Sequence, residues 1–161
     1  MKRLAIIALV AAALLTACDD GTCNDNGSSL PLAAFYADGN ATTPVTVSYL
    51  TVRGIDAPGD SLLVDNQALS QLYLPLRATV NATQYAISHY VTDTGSSTLV
   101  TDTLSLAYRA IPYFHSEECG AMYNFEITSL DHTTHGIDSV TLTTPLITNA
   151  VQVSIKIFVK Q

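Results

Sequence analysis

The chain contains no tryptophan, and its seven lysines and arginines face fourteen aspartates and glutamates. Beyond residue 17 the only cations are Arg53, Arg77, Arg109, Lys156 and Lys160, and they are scattered rather than clustered. A phosphate backbone is held by clustered Lys and Arg, so nucleic acid is excluded as a partner. Without tryptophan, any aromatic platform for a sugar rests on Tyr and Phe alone. Also missing are a G-x-S-x-G elbow, a phosphate-binding glycine loop, a Cys-x-x-Cys pair and a zinc-protease signature. The acids and amides near the start do not make a calcium loop. With Gly27 at the glycine position, Thr22 falls at position one and Ala33 at position twelve, where a calcium loop needs carboxylates. No cofactor is therefore expected. Past residue 17 there is neither a second long apolar run nor a window of helical period.

What is present begins with Lys2 and Arg3, followed by the uncharged run LAIIALVAAALL at 4–15. Crossing a bilayer takes about 20 helical residues, so this run is too short to span. It fits the apolar middle of a secretory signal peptide behind a positive head. Leu15-Thr16-Ala17-Cys18 then resembles the lipobox of bacterial lipoproteins, in which cleavage directly precedes a cysteine that becomes lipidated. The competing reading is an ordinary signal peptide cut near Ala17, leaving Cys18 a thiol. Acyl chains such as palmitate contribute about 0.8 kcal/mol per buried methylene, so several chains on Cys18 form a durable anchor without a transmembrane helix. The resulting organisation is a signal peptide at 1–17, a lipidated cysteine and flexible polar tether at 18–29, and a single domain at 30–161.

Acid directly after Cys18 resembles the export signal of surface lipoproteins in Bacteroidetes, and also the inner-membrane retention signal of enteric bacteria. The two signals point to different membranes. The expected location is the bacterial cell envelope, lipid-anchored, at the outer membrane on its periplasmic or surface face.

An odd cysteine count is awkward outside the cytoplasm. If Cys18 carries lipid, Cys23 and Cys119 remain, and an oxidising compartment permits them to join. The bridge would close a loop of roughly 97 residues, for which chain entropy assigns about 4.7 kcal/mol. Cys119 lies in the polar, turn-like SEECG, which suits a bridge better than a mid-core thiol would.

Val, Thr, Leu, Ile, Ser and Tyr dominate, and such side chains fit a pleated, half-buried surface. Period-2 segments recur from Leu30 onward. LPLAAFYA (30–37), VTVSYLTVR (45–53) and SLLVDN (61–66) come first. In VTVSYLTVR the inward row reads Val45, Val47, Tyr49. LYLPLR (72–77) holds Pro75, which cannot donate a ladder bond, so an edge strand or a bulge is expected. TQYAISHYV (83–91) and TLVTDTLSLAYR (98–109) should form a hairpin across DTGSS. AMYNFEITSL (121–130), DSVTLTT (138–144) and VQVSIKIFVK (151–160) complete the set, the last with Val151, Val153, Ile155, Ile157 and Val159 inward. These strands predict an all-β, antiparallel two-sheet β-sandwich of immunoglobulin-like form, the alternative being a jelly roll or a partly closed barrel.

The lipobox, the cysteine after it, GDSLLVDN, TDTLSLAY and the late ECG together resemble an uncharacterised family of small Bacteroidetes lipoproteins, a domain of unknown function. That resemblance spans most of residues 15–160. It implies a β-rich envelope lipoprotein and transfers no catalytic residue. It also implies O-glycan attachment at Asp, then Ser or Thr, then an apolar residue. Asp60-Ser61-Leu62, Asp102-Thr103-Leu104 and Asp138-Ser139-Val140 fit, but the last two fall inside predicted strands, which leaves Ser61 as the candidate.

His132 and His135 in LDHTTHGID are the weak candidates for a metal, because imidazoles with neighbouring carboxylates bind zinc. Loop histidines facing solvent are the simpler account. His115, Glu117 and Cys119 concentrate ligand types in one loop, yet adjacent residues splay along a loop. His89 stands in register with Tyr85, Ile87 and Val91 and reads as a core or rim histidine. The expectation is a non-catalytic binding or structural module that meets another envelope protein or a glycan through loop tips at 54–60, 112–120 and 131–138. The alternative is a metal-dependent hydrolase using His115, Glu117, His132 and His135.

Overall fold

The computed structural model describes residues 29–59, 61–117 and 119–160. The expectations for the signal peptide, Cys18 and Cys23 therefore lie outside the described residues. Among these residues every regular element is a strand: β1 (Leu32–Ala37), β2 (Val47–Ile55), β3 (Leu62–Leu69), β4 (Gln71–Tyr73), β5 (Ala82–Asp93), β6 (Ser96–Ser116), β7 (Gly120–His132), β8 (Ile137–Leu142), β9 (Leu146–Ile147) and β10 (Val153–Val159). They form a four-stranded sheet ordered β4-β1-β10-β8 and a six-stranded sheet ordered β3-β2-β5-β6-β7-β9. The larger sheet curls as a half-barrel against the smaller, giving the expected β-sandwich. Among the described residues, no helix is long and apolar enough to cross a membrane.

Phe35, Ile155 and Ile157 of the smaller sheet share one core with Leu50, Val52, Ile87 and Leu104 of the larger, all fully buried. Burying each such side chain contributes about 1.5–3 kcal/mol, so this row supplies the main drive to stack the sheets.

One pairing departs from the all-antiparallel expectation. The first and last strands, β1 and β10, run parallel in the middle of the smaller sheet. Strands of a parallel pair are commonly buried on both faces and read as continuous apolar runs. That is why Leu32, Ala33, Ala34, Phe35 and Tyr36 are all buried. Of the inward row expected for the last strand, Ile155, Ile157 and Val159 are buried as expected, and the departure is confined to its start. Val151 falls before β10 and is 81% exposed, whereas Ser154 is buried and donates to the Leu32 carbonyl at 3.3 Å.

The hairpin across DTGSS forms as expected. Thr94 and Gly95, at φ 45° and 83°, form the tight turn between β5 and β6. Left-handed backbone at both central positions is the twist that suits a two-residue hairpin. LYLPLR likewise lies at an edge, since β4 ends at Tyr73, ahead of Pro75.

Candidate functional site

A broad cleft begins at an irregularity in β2. The alternation Val45, Val47, Tyr49 was expected to point inward throughout. Val47 is buried, but the register of β2 on β3 shifts before Leu50, and Leu50 and Val52 take over the inward row. Tyr49 sits at the shift with φ 55° and its side chain is 61% exposed. Left-handed backbone is uncommon for any residue with a side chain and rarer for a bulky one. The strand keeps its buried row only by turning Tyr49 out.

Turned out, Tyr49 meets Tyr90 of β5, their ring centroids 5.9 Å apart and the planes at 80°. The two rings wall a cleft of about 710 Å³, open to solvent. Ligand clefts generally run from about 300 to 1,000 Å³. Hydroxyls from Thr46, Ser48, Thr92 and Ser97 line it, with Thr92 and Ser97 hydrogen-bonded to each other at 3.0 Å. Asn66 of β3 adds an amide, and it too is left-handed, at φ 49°. From the smaller sheet come Val159 and Lys160. Lys160 is held tightly: its ammonium donates to the Thr134 carbonyl at 2.6 Å and the His135 carbonyl at 3.4 Å.

Behind the cleft lies a polar centre built on Asp102. This acid occupies an inward position of β6, in the row of Leu104, Leu106 and Tyr108, and its side chain is fully buried. Its Oδ1 accepts from Thr133 Oγ1 at 2.6 Å, the His135 backbone N–H at 2.7 Å and His135 Nδ1 at 3.1 Å. Oδ2 accepts the N–H groups of Gly136 at 2.6 Å and Ile137 at 2.8 Å. Burial pushes this carboxyl up, but the hydrogen bonds from Thr133, Gly136, His135 and Ile137 outweigh it, lowering the pKa from 3.8 to about 2. The loop that Asp102 fastens is the one that holds Lys160, so Asp102 sets one wall of the cleft from behind.

Gly136 packs directly on His89, which is 1% exposed. A Cβ on Gly136 would stand 2.5 Å from His89 Nε2 and 2.5 Å from Val100 Cγ2, so only glycine fits. His89 Nδ1 lies 3.2 Å from the Tyr90 carbonyl, and Nε2 is buried with no hydrogen-bond partner among the described residues. The expected rim or core histidine is thus a core residue, flooring the cleft.

The other candidates fall elsewhere. His132 Nε2 lies 3.3 Å from the Asp138 carbonyl, while His135 turns to Asp102, so the two rings have different partners. Among the described residues, no group of three His, Cys, Asp or Glu stands ready to hold a metal ion. His115 packs edge-on against Tyr113 at 6.0 Å, near the far end of β6 from the stretch that pairs with His132. From Leu104, which pairs with His132, to Ser116 is roughly 40 Å of strand at about 3.3 Å per residue. His115 and Glu117 therefore do not share a site with His132 and His135. Cys119 lies in the turn from β6 to β7, its N–H donating to Ser116 Oγ at 3.1 Å, and its sulfur is not a free thiol. Ser61 is half-buried just before β3 and donates to the Pro58 carbonyl at 3.3 Å.

Sequence reasoning named loop tips as the contact surface, and the cleft is instead lined largely from strands. Of those loops, only 131–138 takes part, through its carbonyls on Lys160. Two signals pointed this way. Asp102 is an acid in an otherwise apolar inward row, and Tyr49-Leu50 sets two apolar residues side by side where alternation calls for one.

A family described as "Family of unknown function (DUF6452)" matches residues 49–159. No curated protein matches the chain. No solved structure matches it either.

Proposed function

Since the chain belongs to DUF6452, a family of unknown function, membership brings no activity, and we propose from its own residues that it is a lipid-anchored envelope lipoprotein whose sandwich is a non-catalytic binding module. One observation carries the binding reading. Among the described residues, four that are not glycine have left-handed backbone, Tyr49, Asp56, Asn66 and Thr94. Asp56 and Thr94 lie in turns, where such geometry is ordinary, while Tyr49 and Asn66 lie in strands and line the same cleft. Strain of this kind costs on the order of 1–3 kcal/mol and gathers where a ligand is held.

The lipoprotein reading rests on Lys2, Arg3, the apolar run at 4–15 and the lipobox ending at Cys18. With Cys18 acylated, Cys23 is the remaining partner for Cys119. Reach supports that pairing. Ser29 donates to Asn124 Oδ1 at 2.9 Å, which lays the start of the described chain along β7. Cys23 is six residues before Ser29, a span of at most about 20 Å, and Cys119 is five residues from Asn124, about 17 Å along a strand. Source and sorting follow the same resemblance, which favours a Bacteroidetes outer membrane and an O-glycan on Ser61.

Metabolic labelling with a palmitate analogue tests the anchor. Incorporation that vanishes in Cys18→Ser supports it, and an intact amino-terminal segment on a soluble product removes it. Non-reducing peptide mapping tests the bridge, the expected product being a peptide pair holding Cys23 and Cys119. Substitution of Tyr90 tests the module: it should abolish ligand or partner binding while leaving the fold intact. The rival, a metal-dependent hydrolase, is disfavoured by the distance along β6 between its two halves.

A further inference from the structure

We propose that the cleft between Tyr49 and Tyr90 takes a short neutral glycan; this names the ligand class for the binding-module reading and rests on it. The argument is one of chemical complementarity. A sugar ring has an apolar C–H face and a rim of hydroxyls, so it needs an aromatic surface flanked by neutral hydrogen-bonding groups. Tyr49 and Tyr90 offer two ring surfaces nearly at right angles, 61% and 47% exposed. A ring lying flat on one is met at its edge by the other. Around them stand the hydroxyls of Ser48, Thr92 and Ser97 and the amide of Asn66, each able to donate and accept.

Charge narrows the class further. Among the described residues no carboxylate lines the cleft and Lys160 stands in its wall, so a cation would meet ring faces and hydroxyls but a like charge and no counter-ion. Lys160 is the one lysine or arginine among the described lining residues, and two backbone carbonyls already take two of its three N–H groups. That leaves a phosphate, sulfate or sialic acid a single N–H of one lysine, where anion sites usually gather several cationic donors. A wholly apolar ligand would strip water from four hydroxyls and an amide without replacing their hydrogen bonds. A neutral, polyhydroxylated ligand satisfies every group present.

The backbone supports the same conclusion. With ordinary strand geometry at residue 49, the tyrosine would occupy the buried row that Leu50 fills, and the platform would not exist. The left-handed turn at Tyr49 places an aromatic ring where the sheet would otherwise offer none.

The test uses the full-length protein in detergent micelles on an array of neutral, sialylated and sulfated oligosaccharides, followed by calorimetric titration of the best binder. Neutral glycans should bind, with affinity nearly constant between about 0.05 and 0.5 M salt. Tyr49→Ala and Tyr90→Ala should each weaken binding by about tenfold or more, and Tyr90→Phe should retain it within about threefold. Tyr73→Ala removes a tyrosine exposed elsewhere and should leave binding unchanged; melting curves confirm that each variant is folded. Binding confined to acidic glycans, with steep loss in salt, overturns the proposal. So does loss of binding in Tyr73→Ala equal to that in Tyr90→Ala. A blank array overturns it as well, and a photocrosslinker at position 90 then separates the two readings. Capture of an envelope protein at that position leaves the binding module standing with a protein ligand, and no capture removes both.

Discussion

Consider Asp102→Ala, followed by urea denaturation at pH 7. Asp102 accepts five hydrogen bonds, and the fate of the donors sets the cost. Thr133 and His135 are exposed and can turn to water, whereas Gly136 and Ile137 are buried. Each stranded buried N–H costs about 1–3 kcal/mol, so alanine should destabilise by about 4 kcal/mol. That is a large share of the 5–15 kcal/mol typical of a whole domain. Asn behaves differently. Its one carbonyl oxygen can serve Gly136 and Ile137, with the amide NH2 turned to the exposed pair. Asp102→Asn should therefore cost about 2 kcal/mol, and the urea slope should be unchanged in both variants.

Acid provides an independent check on the same group. A folded pKa lowered from 3.8 to about 2 is worth on the order of 2 kcal/mol of stability at neutral pH. Because the value is depressed on folding, this stability is present in full above the unfolded pKa. It is lost as pH falls through about 4 and then 2. Wild type should lose it over that window, and Asp102→Asn should show a flatter curve there. An alanine variant within about 1 kcal/mol of wild type, or an asparagine variant with an unchanged acid limb, would refute the assignment of Asp102 as the fastener of the 133–137 loop.

Three further outcomes are expected. Gly136→Ala should destabilise by about 1–3 kcal/mol through overpacking, and Val100→Ala in the same chain should return part of that loss, read from thermal melts. Tyr108→Phe removes a hydroxyl that Thr83 Oγ1 meets at 2.8 Å and that both accepts from the Arg77 N–H and donates to the Arg77 carbonyl at 3.1 Å; denaturant midpoints should report a loss of about 1–3 kcal/mol. Tyr49→Gly should leave stability within about 1 kcal/mol of wild type, since relief of left-handed strain offsets the lost Tyr90 contact. Leu50→Ala beside it should cost about 2–5 kcal/mol, and a large loss in Tyr49→Gly would mean that residue 49 is structural.

Much of the fold was legible because period-2 patterning reports one buried face directly. Tyr85 and Ile87, in register with His89, and Ile155, Ile157 and Val159 of the last strand are buried where alternation placed them. DTGSS gave the hairpin because Thr94-Gly95 supplies both left-handed positions. Pro75 marked the edge because a residue without an N–H cannot sit mid-ladder. The parallel pairing of β1 with β10 was not legible. Pattern fixes which face of a strand is buried but carries no term for its neighbour, and these two strands are about 120 residues apart in sequence.

The candidate site escaped the reading for a related reason. A cleft arises where strands break their pattern, so a method that follows the pattern looks away from it. Residue 49 was assigned inward because Val45 and Val47 precede it, and that extrapolation fails at the irregularity that exposes the ring. Asp102 shows the converse. It obeys the alternation and points inward, and the anomaly is its charge, which is tolerable in a core only when donors surround it. The donors come from a loop some thirty residues later, and that same loop holds Lys160 at the cleft. Here a break in alternation marks where the cleft opens, and a charge within an unbroken row marks what holds the wall behind it. The two are coupled: loosening the 133–137 loop in Asp102→Ala should weaken ligand capture in the cleft even though Asp102 touches no solvent.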